Sequence, residues 1–194
     1  MPHLILASTS PRRRHLLQTY GFQFEVITTA VEELQDATLG PSRLVQENAR
    51  LKALPVAGLH ADCVVIGCDT VVALGDRILG KPVDMKEAAE MLADLNGRTH
   101  TVHSGVCIVH SAGQRELSFV ETTQVRFHHL SDAELFLYHE RIHPLDKAGA
   151  YAAQDDEGQL IAEATGSMTN VIGLPMEALI EKLKLFGISP EQPH

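Results

Sequence analysis

Apolar and polar positions change period repeatedly along this chain, and each change marks an element. Leu4-Ile5-Leu6 is a short apolar run that predicts a first strand. Ser10 then stands as a helix N-cap and Pro11 at the first helical position, where a missing N–H costs nothing. Leu16 and Leu17 supply the buried side of that helix, and Gly21 stops it. Residues 22–27 alternate as a second strand, and residues 28–40 read as a polar loop carrying Glu32-Glu33. A helix is predicted over 42–57, with Leu44, Val45, Ala49, Leu51 and Ala53 apolar and with Pro55 ending or kinking it. The run 63–68 is fully apolar and predicts a central, buried strand, with Asp69 at its end. Residues 70–74 and the turn Gly75-Asp76 follow.

Asp84 with Glu87 opens a helix whose face is Ala88, Met91, Leu92 and Leu95, and Gly97 closes it. Residues 99–109 and 116–127 read as long strands around a hairpin at Ala112-Gly113. Ser131 and Glu134 form a capping box for a helix to about Glu140, and 143–157 is loop-like. Leu160-Ile161 and Val171-Ile172 are short strand candidates, and 175–186 is a closing amphipathic helix stopped by Gly187. Crossover helices beside a long hairpin predict an α/β fold with a mixed sheet.

Composition narrows the choice of partner. The chain has 194 residues, 44% of them apolar, and a mean hydropathy of −0.02, values of an ordinary globular protein. A net charge of −9 and the absence of Trp argue against a surface for a nucleic-acid polymer. Arg12, Arg13, Arg14, Lys52, Lys81 and Lys147 nevertheless sit beside Ser, Gly, Pro or Asp at predicted turns and helix ends, which suits a small polyanion. No run approaches the length of a membrane span and no signal-peptide pattern opens the chain. Cys63, Cys68 and Cys107 lack CxxC spacing and read as buried free thiols, so a cytoplasmic location is expected.

Several residues invite chemistry. Three arginines in a first helical turn oppose the macrodipole, at ~0.3–1 kcal/mol each when exposed, and a bound anion would remove that conflict. A carboxylate placed beside Val64-Val65-Ile66, as Asp69 is, is partly desolvated unless it meets a cation or faces a cleft. Gly75 to Lys81 fits G-x-x-x-x-G-K, but Pro82 replaces the hydroxyl residue that a P-loop needs, so a P-loop is excluded. Lys81 remains a candidate phosphate ligand in a rigid Gly80–Pro82 frame. His100 and His103 lie three apart in a predicted strand and face opposite ways, which argues against a zinc site. Asp146-Lys147-Ala148-Gly149-Ala150-Tyr151 puts opposite charges beside small residues, with the Gln154 amide nearby to read a base edge.

Together these segments resemble the Maf family of nucleoside triphosphate pyrophosphatases. The similarity is collinear over nearly the whole chain: Leu4-Ile5-Leu6-Ala7-Ser8-x-Ser10-Pro11-Arg12-Arg13, then Val31-Glu32-Glu33, Ala49-Arg50-x-Lys52-Ala53, Ile66-Gly67-x-Asp69-Thr70-Val71-Val72, Gly80-Lys81-Pro82, the 146–151 segment and Gly173-Leu174-Pro175. The resemblance implies one ITPase-like (Maf/Ham1-type) domain over 1–194, an elongated mixed sheet with flanking helices and two lobes around a central cleft. It further implies a cytoplasmic, homodimeric enzyme that uses a divalent metal, Mg2+ or Mn2+, and cleaves a triphosphate between its α- and β-phosphates. On this reading Asp69 binds the metal or deprotonates the attacking water, with Glu33 as a second carboxylate. Ser8, Ser10, Arg12, Arg13, Lys52, Lys81 and Lys147 bind substrate, and Arg12, Thr70 and Gln154 match the dTTP/UTP-selective branch. Asp155-Asp156-Glu157-Gly158 stands where the family usually has a glycine-rich turn.

Two other readings use the same residues at this stage. A non-catalytic nucleotide sensor or division-associated partner predicts binding without pyrophosphate release, and a phosphatase predicts loss of the terminal phosphate alone.

Overall fold

A computed structural model describes residues 3–156 and 158–191. In chain order the elements are β1 (Leu4–Leu6), α1 (Pro11–Thr19), β2 (Glu25–Val26), α2 (Pro41–Leu59), β3 (Val64–Leu74), β4 (Arg77–Leu79), α3 (Met85–Leu95), β5 (Thr99–His110), β6 (Arg115–Phe127), α4 (Asp132–Arg141), β7 (Ile161–Thr165), α5 (Met168–Ile172) and α6 (Met176–Lys184). The seven described strands form one mixed sheet, ordered β2-β1-β3-β5-β6-β7, with β4 paired to β3. β1 runs parallel to β2 and β3, and the remaining pairs are antiparallel. The expected α/β class with a mixed sheet holds.

The long strand β3 organises the molecule, and here one expectation is corrected. Asp69 does not end a strand; it sits in the middle of β3, with strand on both sides. It is nevertheless at an edge. One side of β3 pairs with β5 from Val65 to Ala73. The other side pairs with β1 only through Ile66 and with β4 only from Val72, so residues 67–71 have no strand partner there. The sheet is therefore notched at mid-strand, and a notch exposes backbone polar groups as a strand end would.

The core divides at the same place. Side chains alternate along β3, and Val64, Ile66 and Cys68 join one cluster with Leu16 and Leu17 of α1 and Leu179 and Leu183 of α6. Val72 and Leu74, on the same face, join a second cluster with Leu92 and Leu95 of α3 and Tyr138 of α4. Thr70 stands between the two. On the opposite face α2 crosses β3 and β5 at very close range. A Cβ at Gly67 would lie 2.2 Å from the Ala49 carbonyl oxygen, and one at Gly105 would lie 2.3 Å from that of Val45. Asp69 is paired in register with Gly105, so this contact brings α2 directly over the carboxylate.

Local expectations mostly hold, with instructive exceptions. α2 runs through Pro55 to Leu59 instead of stopping. Pro55 and Leu51, whose carbonyl loses its helical donor, are both exposed, so the missing hydrogen bond falls on the solvent side of the helix. Val171-Ile172 is helical, not a strand, because the Ser167 hydroxyl caps the Asn170 N–H and Gly173, at φ 127°, ends the turn. β2 covers only Glu25–Val26, an exposed edge. Of the three free cysteines, Cys68 and Cys107 are buried and Cys63 is only partly so. Within the acidic stretch, Asp156 is buried and accepts the N–H groups of Leu160 and Ile161, so it builds a turn; Glu157 lies outside the described residues.

Candidate active site

A cleft of about 380 Å³ opens at the notch, a size typical of small-molecule sites. Ser8, Ser10, Arg12, Arg13, Glu33, Lys52, Asp69, Thr70, Lys81, Lys147 and Gln154 all line it. The tertiary fold thus gathers the catalytic, substrate-binding and specificity candidates into one place, although they do not stand there in equivalent ways.

The wall formed by the start of α1 is built for an anion. Ser10 occupies the N-cap position but its hydroxyl caps nothing, which leaves first-turn N–H groups open at the positive end of a nine-residue helix. The Ser10 backbone N–H instead donates to the Ser8 hydroxyl at 3.3 Å. The adjacent arginines point in different directions. Arg13 is buried, and its guanidinium donates to the Gly173 carbonyl (2.9 Å), the Ser8 hydroxyl (3.0 Å), the Cys68 carbonyl (2.7 Å) and the Thr70 hydroxyl (3.0 Å). Four of its five donors are spent inside the protein. The free edge of β3 explains this, since the Cys68 carbonyl lies where the ladder is missing. Arg14 is exposed and lies outside this cleft.

At the centre, Lys52 joins two carboxylates. Its ammonium is 2.7 Å from Asp69 Oδ1 and 3.0 Å from Glu33 Oε1, and it also reaches the Cys68 carbonyl at 3.4 Å. Asp69 is only 7% exposed, whereas Glu33 sits on the open loop between β2 and α2. The second Asp69 oxygen accepts a 3.1 Å hydrogen bond from Asn48, one helical turn before Lys52 on α2. Reasoning from sequence missed Asn48. Its signal was an amide at i−4 to Lys52 on the face shared with Val45, Ala49 and Ala53.

The facing wall comes from β4 and the turns after α4. Lys81 follows β4, is exposed, and has no ion-pair partner among the described residues. Arg12 reaches across the cleft to Asp146, donating to its carboxylate at 2.7 Å and its carbonyl at 3.0 Å. The other Asp146 oxygen accepts from Lys147 at 2.6 Å, and Lys147 also donates to the His143 carbonyl at 2.7 Å. Burial raises the Asp146 pKa, but hydrogen bonds from Lys147 and Arg12 outweigh it and hold the carboxyl below its ordinary range. Asp146 thus keeps two cations paired and in place, a task not assigned to it from sequence. The turn that carries Lys147 is tight: Gly149 and Ala150 both have positive φ, at 69° and 59°, and Gly149 packs against Val72. Thr70 is shared among Arg13, Ser104 (2.8 Å) and the Gly173 carbonyl (3.3 Å), and Gln154 lies exposed on the far wall.

The histidines behave as their spacing predicts. His100 is buried against Phe127 and Tyr151, while His103 bonds Ser42, Thr101 and Thr122 on the opposite face. Among the described residues no three His, Cys, Asp or Glu side chains cluster as a protein-only metal site. No described helix is long and apolar enough to cross a membrane.

The donor set at the cleft centre fits a hard divalent cation. Asp69 and Glu33 bring two hard carboxylate donors to one point, where the Lys52 ammonium bridges them. Magnesium-type sites use one or two carboxylates and complete their oxygen shell with water and substrate phosphates.

Comparison with known proteins agrees over nearly the whole length. The model of the family described as Maf-like protein matches residues 3–186. A protein of Pelotomaculum thermopropionicum named dTTP/UTP pyrophosphatase is 43% identical over 187 residues, covering 96% of this chain and 98% of its own. One of the same name from Bacillus anthracis is 42% identical over 188 residues, covering 97% of each. Among solved structures, a HAM1 protein from Coxiella burnetii shows a remote likeness, with 16% identity and a TM-score of 0.47 over 66% of this chain and 73% of that one. With the family model and these relatives spanning both walls of the cleft, the chain belongs to the Maf family.

Proposed function

We propose that this protein is a nucleoside triphosphate pyrophosphatase that hydrolyses dTTP, UTP and modified pyrimidine triphosphates to the monophosphate and pyrophosphate. One observation carries the reading: relatives named for that activity are 42–43% identical to this chain over 96–97% of its length.

The chain's own groups suit the chemistry. Phosphoryl transfer asks a protein mainly for positioning and charge neutralisation. The open start of α1, Ser8, Ser10 and Arg12 receive phosphate oxygens on one wall, and Lys81 and Lys147 receive them on the other. Arg13 contributes chiefly by fixing Ser8 and Thr70, with one N–H left for the ligand. Asp69, oriented by Lys52 and Asn48, accepts the proton of the attacking water. Asp69 and Glu33 are the residues that would hold Mg2+ or Mn2+, which when bound neutralises the phosphates and acidifies water. Arg12, Thr70 and Gln154 face the same space and set the choice of base. The two core halves work as one domain with two lobes, and a cytoplasmic homodimer belongs to the same proposal; sedimentation velocity checks the dimer.

A panel of triphosphates incubated with Mg2+ or Mn2+ and separated by chromatography tests the reaction. dTMP and UMP with pyrophosphate are expected, and Asp69→Asn should lower the rate at least ~10²-fold while keeping the fold. Diphosphate plus phosphate would identify a phosphatase, and unchanged nucleotide a sensor.

A further inference from the structure

Glu33 belongs to the irregular stretch 27–36, where helix and strand are absent, yet the site needs its carboxylate held beside Asp69. A single buried side chain ties these two together. Asn48, on α2, is 2% exposed and uses its whole amide on two targets. Its Oδ1 accepts the Leu34 backbone N–H at 2.7 Å, and its Nδ2 donates to the Leu34 carbonyl at 3.1 Å and to Asp69 Oδ2 at 3.1 Å. The neighbours decide which end of the amide is which: an N–H needs the oxygen, and a carbonyl and a carboxylate need the two amide hydrogens.

From this geometry we propose that Asn48 is the positioning residue of the reaction, a clamp that sets Glu33 and Asp69 in fixed relation. It grips the residue next to Glu33 by both backbone groups, as a strand partner would, and grips Asp69 by a carboxylate oxygen. An apolar residue at 48 would remove a partner from a buried carboxylate oxygen and release the Leu34 backbone to solvent. Lys52, one turn along the same helix face, binds both carboxylates directly, so α2 presents a donor to each side of the pair. Lys52 alone does not replace the clamp, because an ammonium attracts both carboxylates without fixing the angle of either. The other charged groups around Asp69 are Arg13 from α1, Lys81 after β4 and the Arg12–Asp146–Lys147 group across the cleft, and the hydrogen bonds that hold Leu34 come from Asn48. The proposal rests on the pyrophosphatase reading for its effect on rate, but its structural half stands apart from it.

Two variants separate the acceptor half of the clamp from its donor half. Asn48→Ala removes all three hydrogen bonds. Asn48→Asp is isosteric and keeps the acceptor for the Leu34 N–H while losing the donors toward the Leu34 carbonyl and Asp69 and setting a second carboxylate against Asp69. Amide hydrogen exchange of the wild-type protein should show Leu34 protected far beyond its loop neighbours Glu32 and Gln35, whose amides have no hydrogen-bond acceptor among the described residues. That protection should vanish in Asn48→Ala and persist in Asn48→Asp. Both variants should lose kcat by ~10–100-fold, the effect typical of residues that orient site ligands, with KM for dTTP little changed. Wild-type kcat in both variants overturns the proposal, as does a raised KM at unchanged kcat. So does rapid exchange of Leu34 in the wild-type protein, a measurement that decides even if a variant does not fold. A wild-type protein that releases no pyrophosphate overturns the functional reading instead, and Leu34 exchange then judges the clamp by itself.

Discussion

Arg12, Arg13 and Arg14 are consecutive in the chain and alike in chemistry, yet helical geometry sends them to three different fates. Arg12 crosses the cleft to Asp146, Arg13 turns inward to the open edge of β3, and Arg14 faces solvent. Arg13→Lys should therefore be far from conservative, because three donors on one nitrogen cannot reproduce a planar fork with four targets. Leaving buried carbonyls unpaired should cost ~2–4 kcal/mol, read as a lower urea midpoint at unchanged slope. Arg14→Ala should stay within ~0.5 kcal/mol of the parent. A basic turn was legible in the sequence as a group; which member grips the protein and which grips a ligand depends on where the missing strand partner lies.

At the scale of elements, the decisive contact is that of α2 with β3 and β5. It requires bare backbone at Gly67 and Gly105, and it delivers Asn48 and Lys52 to Asp69. Gly105→Ala should push the helix away, because the new Cβ would meet the backbone of Val45 and Gln46 and not a movable side chain. A loss of ~1–3 kcal/mol or more is expected. Activity should fall further than stability accounts for, which a folded-fraction correction from circular dichroism would reveal. Gly58, near the end of the same helix with nothing within 4 Å, provides the contrast: Gly58→Ala should stabilise by about 0.5–1 kcal/mol. Gly67 inside an apolar run was a readable sign of close backbone approach. Its partner, and the helix that would use it, were not readable.

For the molecule as a whole, buried histidines set the response to acid. His100, packed among Phe127 and Tyr151, is pushed down to about 4 by burial, and burial lowers His103 and His139 as well. These groups are neutral when folded, so below the unfolded pKa of ~6.5 the unfolded chain takes up protons that the native state refuses. Stability should fall as pH drops from about 6.5 towards 4, with His100 alone worth roughly 3 kcal/mol across that window. The melting temperature measured over this range should decline, and His100→Gln should flatten the decline. Burial raises the carboxyls of Asp146 and Glu177, but their hydrogen bonds outweigh it and hold them low, so their stabilisation is present above the ordinary carboxylate range and is lost only at more acidic pH.

Local physics was enough for much of this protein. Capping chemistry, the 3.6 and 2 periodicities and the hairpin turn located most elements, because each depends on neighbours a few residues away. The collinear motifs identified the family and the polar residues worth watching. Three things needed the tertiary structure: that Asp69 lies within a strand yet at an open edge, that Arg13 is spent on that edge, and that Asn48 holds the two carboxylates in register. Each depends on where β1 stops and β4 begins along β3, and on how closely α2 approaches. Those are pairings between distant segments, settled by burial and backbone hydrogen bonding over the whole sheet, and no local pattern encodes them.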